Sequence, residues 1–226
     1  MCLRPLAAAS LLVVVVVLLG GGRAEAQAVR VEAGGGWALP STEVDVSFQR
    51  VGAPAQEEGG IAEIDPGSGP SAYAAVGLVW TLTDNFSLEG RLRAQQSQLR
   101  VGSEDVSPSI DRCVSSCPEG RLRALSFEGR LSLTSIGRIA PYFLIGLGVV
   151  RTTVDATRIE ADGDEFQLAE VDATDAGGDV GFGAALRLAG GLSLTAETRV
   201  TGSLPGGRDN AVTTFPFTLG LSYKFR

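Results

Sequence analysis

The chain has 226 residues, 44% of them hydrophobic, and carries 19 basic against 26 acidic side chains for a net charge of -7. An acidic chain of this kind is a poor partner for nucleic acid. It has no histidine, the residue most used for general acid–base work near neutral pH.

The first residues carry an address. Arg4 supplies a positive start, Leu6 to Gly20 an apolar stretch, and Ala24-Glu25-Ala26 a small-x-small cleavage site, the three parts of a secretory signal peptide. The apolar stretch is shorter than the roughly 20 residues a membrane-spanning helix needs. Cys2 precedes it, so no lipoprotein anchor is expected. The sequence thus divides into a signal peptide, 1–26, and one mature domain, 27–226. Cleavage takes Lys+Arg from 19 to 17, Asp+Glu from 26 to 25 and the net charge to -8. No later segment has the long apolar run of a membrane helix, so any membrane role falls to strands.

Beyond the leader the sequence alternates. Four stretches hold a carboxylate and an arginine two residues apart: Arg30/Glu32, Glu89/Arg91, Glu128/Arg130 and Glu197/Arg199. Side chains at i and i+2 of a strand share a face, so the intervening residues form a second, apolar face. Those faces read Val29, Val31, Ala33, Gly35, Trp37; Phe86, Leu88, Gly90, Leu92; Leu125, Phe127, Gly129, Leu131, Leu133; and Leu192, Leu194, Ala196, Thr198, Val200. Four more segments follow the same rule, centred on Ala74 to Leu82, Phe143 to Val149, Val180 to Leu188 and Phe215 to Phe225. The pattern predicts an all-β chain of eight strands.

The connections alternate in length. Thr83-Asp84-Asn85, Ser135 to Ile139 and Ala189-Gly190-Gly191 are tight turns, whereas Pro40 to Pro70, Gly102 to Gly120 and Asp155 to Gly178 are long and polar; Leu204 to Asn210 is a shorter fourth loop. Short turns at one end and long loops at the other describe a closed antiparallel up-and-down barrel. Alternation persists inside the long loops, at Val44, Val46, Phe48 and at Phe166, Leu168 with Asp162-Gly163-Asp164 as a turn, which predicts hairpins protruding past the membrane. Cys113 and Cys117, the two cysteines of the mature domain, are expected to form a disulfide, since an exported chain enters an oxidising compartment. So short a loop contributes only about 2 kcal/mol of unfolded-state entropy.

Alternation alone does not say which face is inside. Two barrels print it: a membrane barrel with the charges in its lumen, and a soluble lipocalin-like barrel with an apolar binding cavity. An arginine facing lipid near the bilayer midplane costs about 2 to 4 kcal/mol, so in a membrane Arg91 and Arg130 must turn inward. The predicted lumen network is Arg30, Glu32, Glu89, Arg91, Arg93, Glu128, Arg130, Arg187, Glu197 and Arg199, with Lys224 on the same phase. Both signs are present and an eight-stranded barrel is only wide enough for its own side chains, which predicts a plugged interior. Trp80, Phe86, Tyr142, Phe143, Tyr223 and Phe225 fall near the turn end, as half of an aromatic girdle would.

The last strand carries Thr218, Gly220, Tyr223 and Phe225 in the spacing polar-x-Gly-x-x-aromatic-x-aromatic. This resembles the C-terminal signal by which outer-membrane barrels are recognised for assembly, except that the chain ends on Arg226 rather than on the aromatic. From leader to last strand the chain resembles the small outer-membrane β-barrels of OmpA/OmpX type. The resemblance implies an eight-stranded transmembrane barrel in the cell outer membrane, surrounded by outer-membrane lipid, inserted by the barrel-assembly machinery, monomeric and without cofactor.

Function does not follow from that fold. Barrel enzymes of related architecture rely on histidine, and no serine here sits in a nucleophile elbow, so no catalytic residue is assigned. Gly34-Gly35-Gly36 and Gly146-x-Gly148 lie inside strands, as close-packed points in a barrel wall. Glu160, Asp162, Asp164 and Glu165 offer oxygen ligands of the kind calcium takes, but read first as a solvated acidic loop. The expected role is structural or surface-interacting, with long acidic extracellular loops; the alternatives are a narrow channel for ions or small apolar solutes and the soluble lipocalin-like binding barrel.

Overall fold

A computed structural model describes residues 28–41, 44–51, 59–64, 67–100, 106–107, 112–113, 119–134, 136–161, 164–204 and 213–225. The signal peptide lies outside them, as do Cys117 and the side chain of Cys113. Their strands are β1 (Ala28–Pro40), β2 (Val44–Arg50), β3 (Gly59–Ile64), β4 (Gly69–Thr83), β5 (Phe86–Arg100), β6 (Val106–Ser107) and β7 (Arg112–Cys113), followed by β8 (Glu119–Leu133), β9 (Ile139–Val154), β10 (Thr157–Ala161), β11 (Asp164–Leu168), β12 (Val171–Arg187), β13 (Leu192–Ser203) and β14 (Thr213–Phe225). Eight of them close an antiparallel barrel in the order β1-β14-β13-β12-β9-β8-β5-β4. Each is consecutive with its neighbour except for the closing β1–β14 pair, so the chain winds up and down once around the barrel. No helix among the described residues is long and apolar enough to cross a membrane.

Tight turns close the end at which β1 begins and β14 finishes. Gly137, Gly190 and Gly191 hold positive φ there, a conformation that costs a glycine little. At the other end the strands run on: β12 begins at Val171 rather than after Gly178, and β9 continues to Val154. The extra ladder rungs and the protruding hairpins account for much of what reads in sequence as loop.

Those hairpins form a second sheet. Its order is β6-β3-β2-β11-β10-β7, which joins segments of three separate loops. β10 and β11 form the hairpin anticipated around Asp162 and Gly163, with Ile159 opposite Phe166, and β11 then pairs β2 across loops, Leu168 opposite Phe48. Val46, Ile159 and Leu168 from this sheet are buried with Ala38, Leu99, Leu122, Ala124, Val150, Val154 and Val171 from the barrel strands, and Phe48 and Phe166 pack against them. The two rings meet edge to face with centroids 5.5 Å apart. The loop sheet therefore packs on the barrel mouth around an apolar core that it shares with the ends of the barrel strands.

The barrel wall has its apolar face outside. Val31, Trp37, Val76, Leu92, Phe127, Phe143, Phe182, Phe217 and Leu219 are exposed, while Glu32, Glu89, Arg91, Arg93, Glu128, Arg130, Glu197 and Arg199 on the alternate phase are buried. This removes the lipocalin-like alternative, which needs the opposite arrangement.

Toward the long-loop end the two faces exchange character. Along β5 the inner side chains run Arg91, Arg93, Gln95, Ser97 and then Leu99, while the outer ones run Leu92, Ala94 and then Gln96, Gln98. On β8 the inner Glu128 and Ser126 give way to Ala124 and Leu122 as the outer Phe127 and Leu125 give way to Arg123 and Arg121. Where lipid surrounds the wall the interior is mainly polar, with Val79, Ala140, Leu144 and Ala185 as buried apolar residues toward the turn end; where water surrounds it the interior is mainly apolar.

Candidate functional site

The lumen between the tight turns and the loop core holds the charged residues. Glu89 stands opposite Arg130 and Arg91 opposite Glu128 in the β5–β8 ladder, so their side chains leave adjacent strands at one level. Arg91 Nε donates to Glu128 Oε2 at 2.5 Å and its Nη2 to Glu197 Oε2 at 3.1 Å, across the lumen on β13. Arg199 donates to Glu128 Oε1 at 2.7 Å, stands 3.4 Å from Asp179 Oδ1, and pairs with Glu197. Arg93 Nη1 reaches Glu197 Oε1 at 3.0 Å. Arg130 Nη1 donates to Glu32 Oε2 at 2.8 Å, and Arg30 Nη1 to Glu89 Oε2 at 2.6 Å.

Among the described residues this is one connected set of five guanidinium groups and five carboxylates: Arg30, Arg91, Arg93, Arg130 and Arg199 with Glu32, Glu89, Glu128, Glu197 and Asp179. Its formal charge is zero. Arg93 Nε and Arg130 Nε make no hydrogen bond, so part of the set is held by charge rather than by directed contacts.

Small residues on neighbouring strands make the room. A Cβ on Gly77 would lie 2.7 Å from Glu89 Oε1 and 2.8 Å from Arg91 Cβ; one on Gly146 would lie 2.7 Å from Glu128 Cγ. Glu89, Arg91, Glu128 and Arg199 are thus each laid across a glycine of the adjacent strand, Gly181 in the case of Arg199, which helps eight strands enclose so many long side chains.

Two tyrosines complete the lumen. Tyr73 donates to Glu32 Oε1 at 2.8 Å while Arg93 Cζ stands 3.6 Å from its ring centre; Tyr142 donates to Glu197 Oε2 at 3.1 Å with Arg130 Cζ 3.6 Å from its ring. Each ring covers a guanidinium face and its hydroxyl satisfies a carboxylate.

Tyr142 therefore departs from its expected place in the girdle. It is 5% exposed and lies on the inner face, because it is one residue out of phase with Phe143, and β9 alternates strictly through that point. Trp80, Phe86, Phe143, Tyr223 and Phe225 do lie on the outer face, with Tyr223 and Phe225 edge to face at 4.6 Å. Arg187 departs as well. It is on the inner phase but at the end of β12, exposed, donating to the Thr134 carbonyl at 3.1 Å, outside the ion-pair set. With Arg30 and Lys224 it lines a polar vestibule of about 740 Å³ at the turn end.

Asp179, Tyr73 and Tyr142 have no carboxylate–arginine doublet to mark them. Strand phase alone could have found them, since Asp179 stands opposite Thr201 and two residues from Gly181, which faces Arg199. Thr201 donates to Asp179 Oδ1 at 2.6 Å. Of the C-terminal pattern, Thr218 and Gly220 face inward and Tyr223 and Phe225 outward. A Cβ on Gly220 would lie 2.3 Å from the Tyr73 hydroxyl, so this glycine also clears space for the lumen. Among the described residues no group of three or more acidic or cysteine side chains is placed to hold a metal ion. Asp162 lies outside the described residues and Asp164 pairs with Arg50.

The family described as outer membrane protein beta-barrel domain matches residues 11–225 of the sequence. The chain belongs to that family. It is a protein of the cell outer membrane, and its apolar outer wall is the surface that meets lipid. Among solved structures this outer-membrane barrel is similar in fold to Neisserial surface protein A, at 14% identity and TM-score 0.52, over 87% of this chain and 97% of that one. It is also similar to the N-terminal β-barrel domain of Pseudomonas aeruginosa OprF, at 14% identity and TM-score 0.44, over 88% and 97% of the two chains. No curated protein matches it in sequence.

Proposed function

We propose that this outer-membrane barrel is a closed, non-conducting and non-catalytic wall protein whose folded extracellular cap serves as a surface for contact. The observation that carries the reading is the apolar layer at the loop end, where Leu99, Leu122, Val150 and Val154 of the barrel pack against Val46, Ile159 and Leu168 of the loop sheet. An ion crossing it would lose its hydration among aliphatic side chains, with only a few hydroxyls such as Ser97 and Thr152 in place of water, a cost far above thermal energy.

Beneath that layer the charge-paired lumen acts as scaffold. The guanidinium and carboxylate groups face one another rather than a channel, and their charges cancel. The loop sheet above supplies a platform fixed by the core it shares with the barrel strands, unlike a set of independent tails. Insertion would proceed through the barrel-assembly machinery by the Thr218 to Phe225 pattern, with lipid the surrounding partner and a monomer the working unit.

Single-channel recording on protein reconstituted in planar bilayers tests the reading. A closed barrel gives no resolved openings across a wide range of voltage. A steady conductance at single-protein level would overturn it in favour of the channel alternative.

A further inference from the structure

The tight-turn end of the barrel carries more hydrogen bonding than chain reversal needs. Thr134, entering the β8–β9 turn, donates through its amide to the Asn85 carbonyl at 2.7 Å and through its hydroxyl to the Asp84 carbonyl at 2.9 Å, which ties it to the β4–β5 turn. Arg187 reaches the same residue from further round the barrel. It leaves the end of β12, where its amide donates to the Arg138 carbonyl at 2.8 Å, and its Nη2 donates to the Thr134 carbonyl at 3.1 Å. β9 stands between β12 and β8, so the side chain runs past the start of β9 along the rim and is pinned there. Inside this rim lies the cavity of about 740 Å³, between strands that place Ser193 opposite Arg187 and Lys224 opposite Arg30.

We propose that this cavity binds a small hydroxylated organic anion, a sugar-sized body bearing one carboxylate or phosphate. The inference rests on the turn end alone and holds whether or not the barrel conducts. Three features single out that ligand. The volume falls within the roughly 300–1,000 Å³ of small-molecule sites, too large for a lone ion. The lining is basic in an acidic chain: Arg30, Arg187 and Lys224 face one carboxylate, Asp84. Glu89 stands behind Arg30 and accepts from its Nη1 at 2.6 Å, so three cations against Asp84 and Glu89 still leave one positive charge. Arg187 pairs with no carboxylate among the described residues. A cleft of one sign between low-dielectric walls concentrates the opposite charge. Finally, the hydroxyls of Thr81, Ser87 and Ser193 line the same cavity, and each can both donate to and accept from the hydroxyls of a sugar. The Thr134 carbonyl takes one Arg187 nitrogen and leaves the rest of a planar fork suited to two oxygens of one acid group.

The test uses the full chain folded in nanodiscs and follows the amide NMR signals of Gly190, Gly191 and Ser193 as glucose 6-phosphate, glucuronate, glucose or inorganic phosphate is added. At least one of the two acidic sugars gives saturable shifts, and the tighter of them names the acid group. It binds more tightly than glucose by about tenfold, the ratio one good charge-assisted contact carries. Arg187→Gln and Lys224→Gln each remove most of that preference, Arg187→Lys keeps part of it, and Arg158→Gln in the loop sheet leaves it intact. Migration on a gel with and without boiling shows that each variant is folded. No saturable shift with either acidic sugar, equal affinity for glucose, or an unchanged affinity in Arg187→Gln/Lys224→Gln means the cations merely extend into water at a strand end and overturns the proposal. So does inorganic phosphate binding as tightly as the acidic sugars, which would make this an ion site only.

Discussion

Glu128→Ala is the most informative perturbation of the lumen. Glu128 accepts from Arg91 at 2.5 Å, from Arg199 at 2.7 Å and from Ser126 at 3.1 Å, and lies 4.0 Å from Arg93. It is fully buried. Its removal leaves Arg91 sharing Glu197 and Glu32, and Arg199 sharing Glu197 and Asp179. The lumen passes from neutral to a net charge of +1 with no route to solvent through the apolar cap. Breaking a buried pair by deleting one partner typically costs about 3 to 5 kcal/mol. For a chain of this size that lowers an unfolding midpoint by roughly 6 to 20 °C.

The assay is the temperature at which the folded band is lost on a gel run without boiling, measured in lipid vesicles. Glu128→Leu combined with Arg91→Leu removes one charge of each sign, and its loss should be smaller than the sum of the two single changes, since replacing a whole buried pair by apolar groups is often nearly neutral. Asp172→Asn, which breaks an exposed pair outside the membrane, serves as the reference. If Glu128→Ala and Asp172→Asn lower the midpoint alike, or if the double variant simply adds, the connected lumen does not hold the barrel and the scaffold argument fails.

Other outcomes follow from the same geometry. Leu168→Asp places a charge in the loop core, and should make the loop segments sensitive to protease while the barrel keeps its unboiled migration; uncut loops would show that the core is not what orders them. Gly146→Val meets the Glu128 side chain and the Phe127 carbonyl, and should impair folding into vesicles much more than Gly137→Ala in the turn, where the obstacle is backbone strain alone. Hydrogen bonds from Arg151 hold the Asp172 carboxyl below the usual carboxylate range. The stability it contributes is present above the unfolded carboxylate pKa and is lost as pH falls through that lowered folded value; Arg151→Gln should return the titration, followed by NMR, to the ordinary range. Cys113 and Cys117 are expected to be bridged, with a mass gain on alkylation appearing only after reduction.

The barrel was legible because its period is two and its turns are short. Arg30/Glu32, Glu89/Arg91, Glu128/Arg130 and Glu197/Arg199 announce the inner phase, and the register then fixes every other residue of each strand. Tyr142 shows how that information can be overridden. Its side chain is aromatic and close to the turn end, so composition places it in the girdle, whereas phase places it beside Glu197 and under Arg130. Phase is the stronger argument, because moving one residue to the other face requires a bulge that β9 does not contain. Arg187 fails for a different reason: its phase is right, but strand ends open to water and the network does not extend to them. The cross-loop sheet was out of reach, since β2 meets β11 over a separation of more than a hundred residues with no local signal of the pairing.

The exchange of faces along β5, β8, β9 and β12 explains why one chain needs two kinds of interior. Between lipid tails there is no hydrophobic drive to bury apolar side chains away from the wall's outer side, because lipid solvates them as well as a core would. Side chains that cannot face lipid must then fill the lumen, and arginine and glutamate do so only in balanced pairs. Once the wall rises into water the hydrophobic effect returns, so Leu99, Leu122, Val150 and Val154 turn inward and recruit the loops as the other half of a core. The row where Leu125 and Val149 give way to Arg123 and Arg151 marks that boundary on the outside, as Ser126 giving way to Ala124 marks it inside. A substitution should therefore be judged by its level as well as its face: an inward leucine at position 126 would strand the charges below it, whereas an inward leucine at 124 would extend the core above.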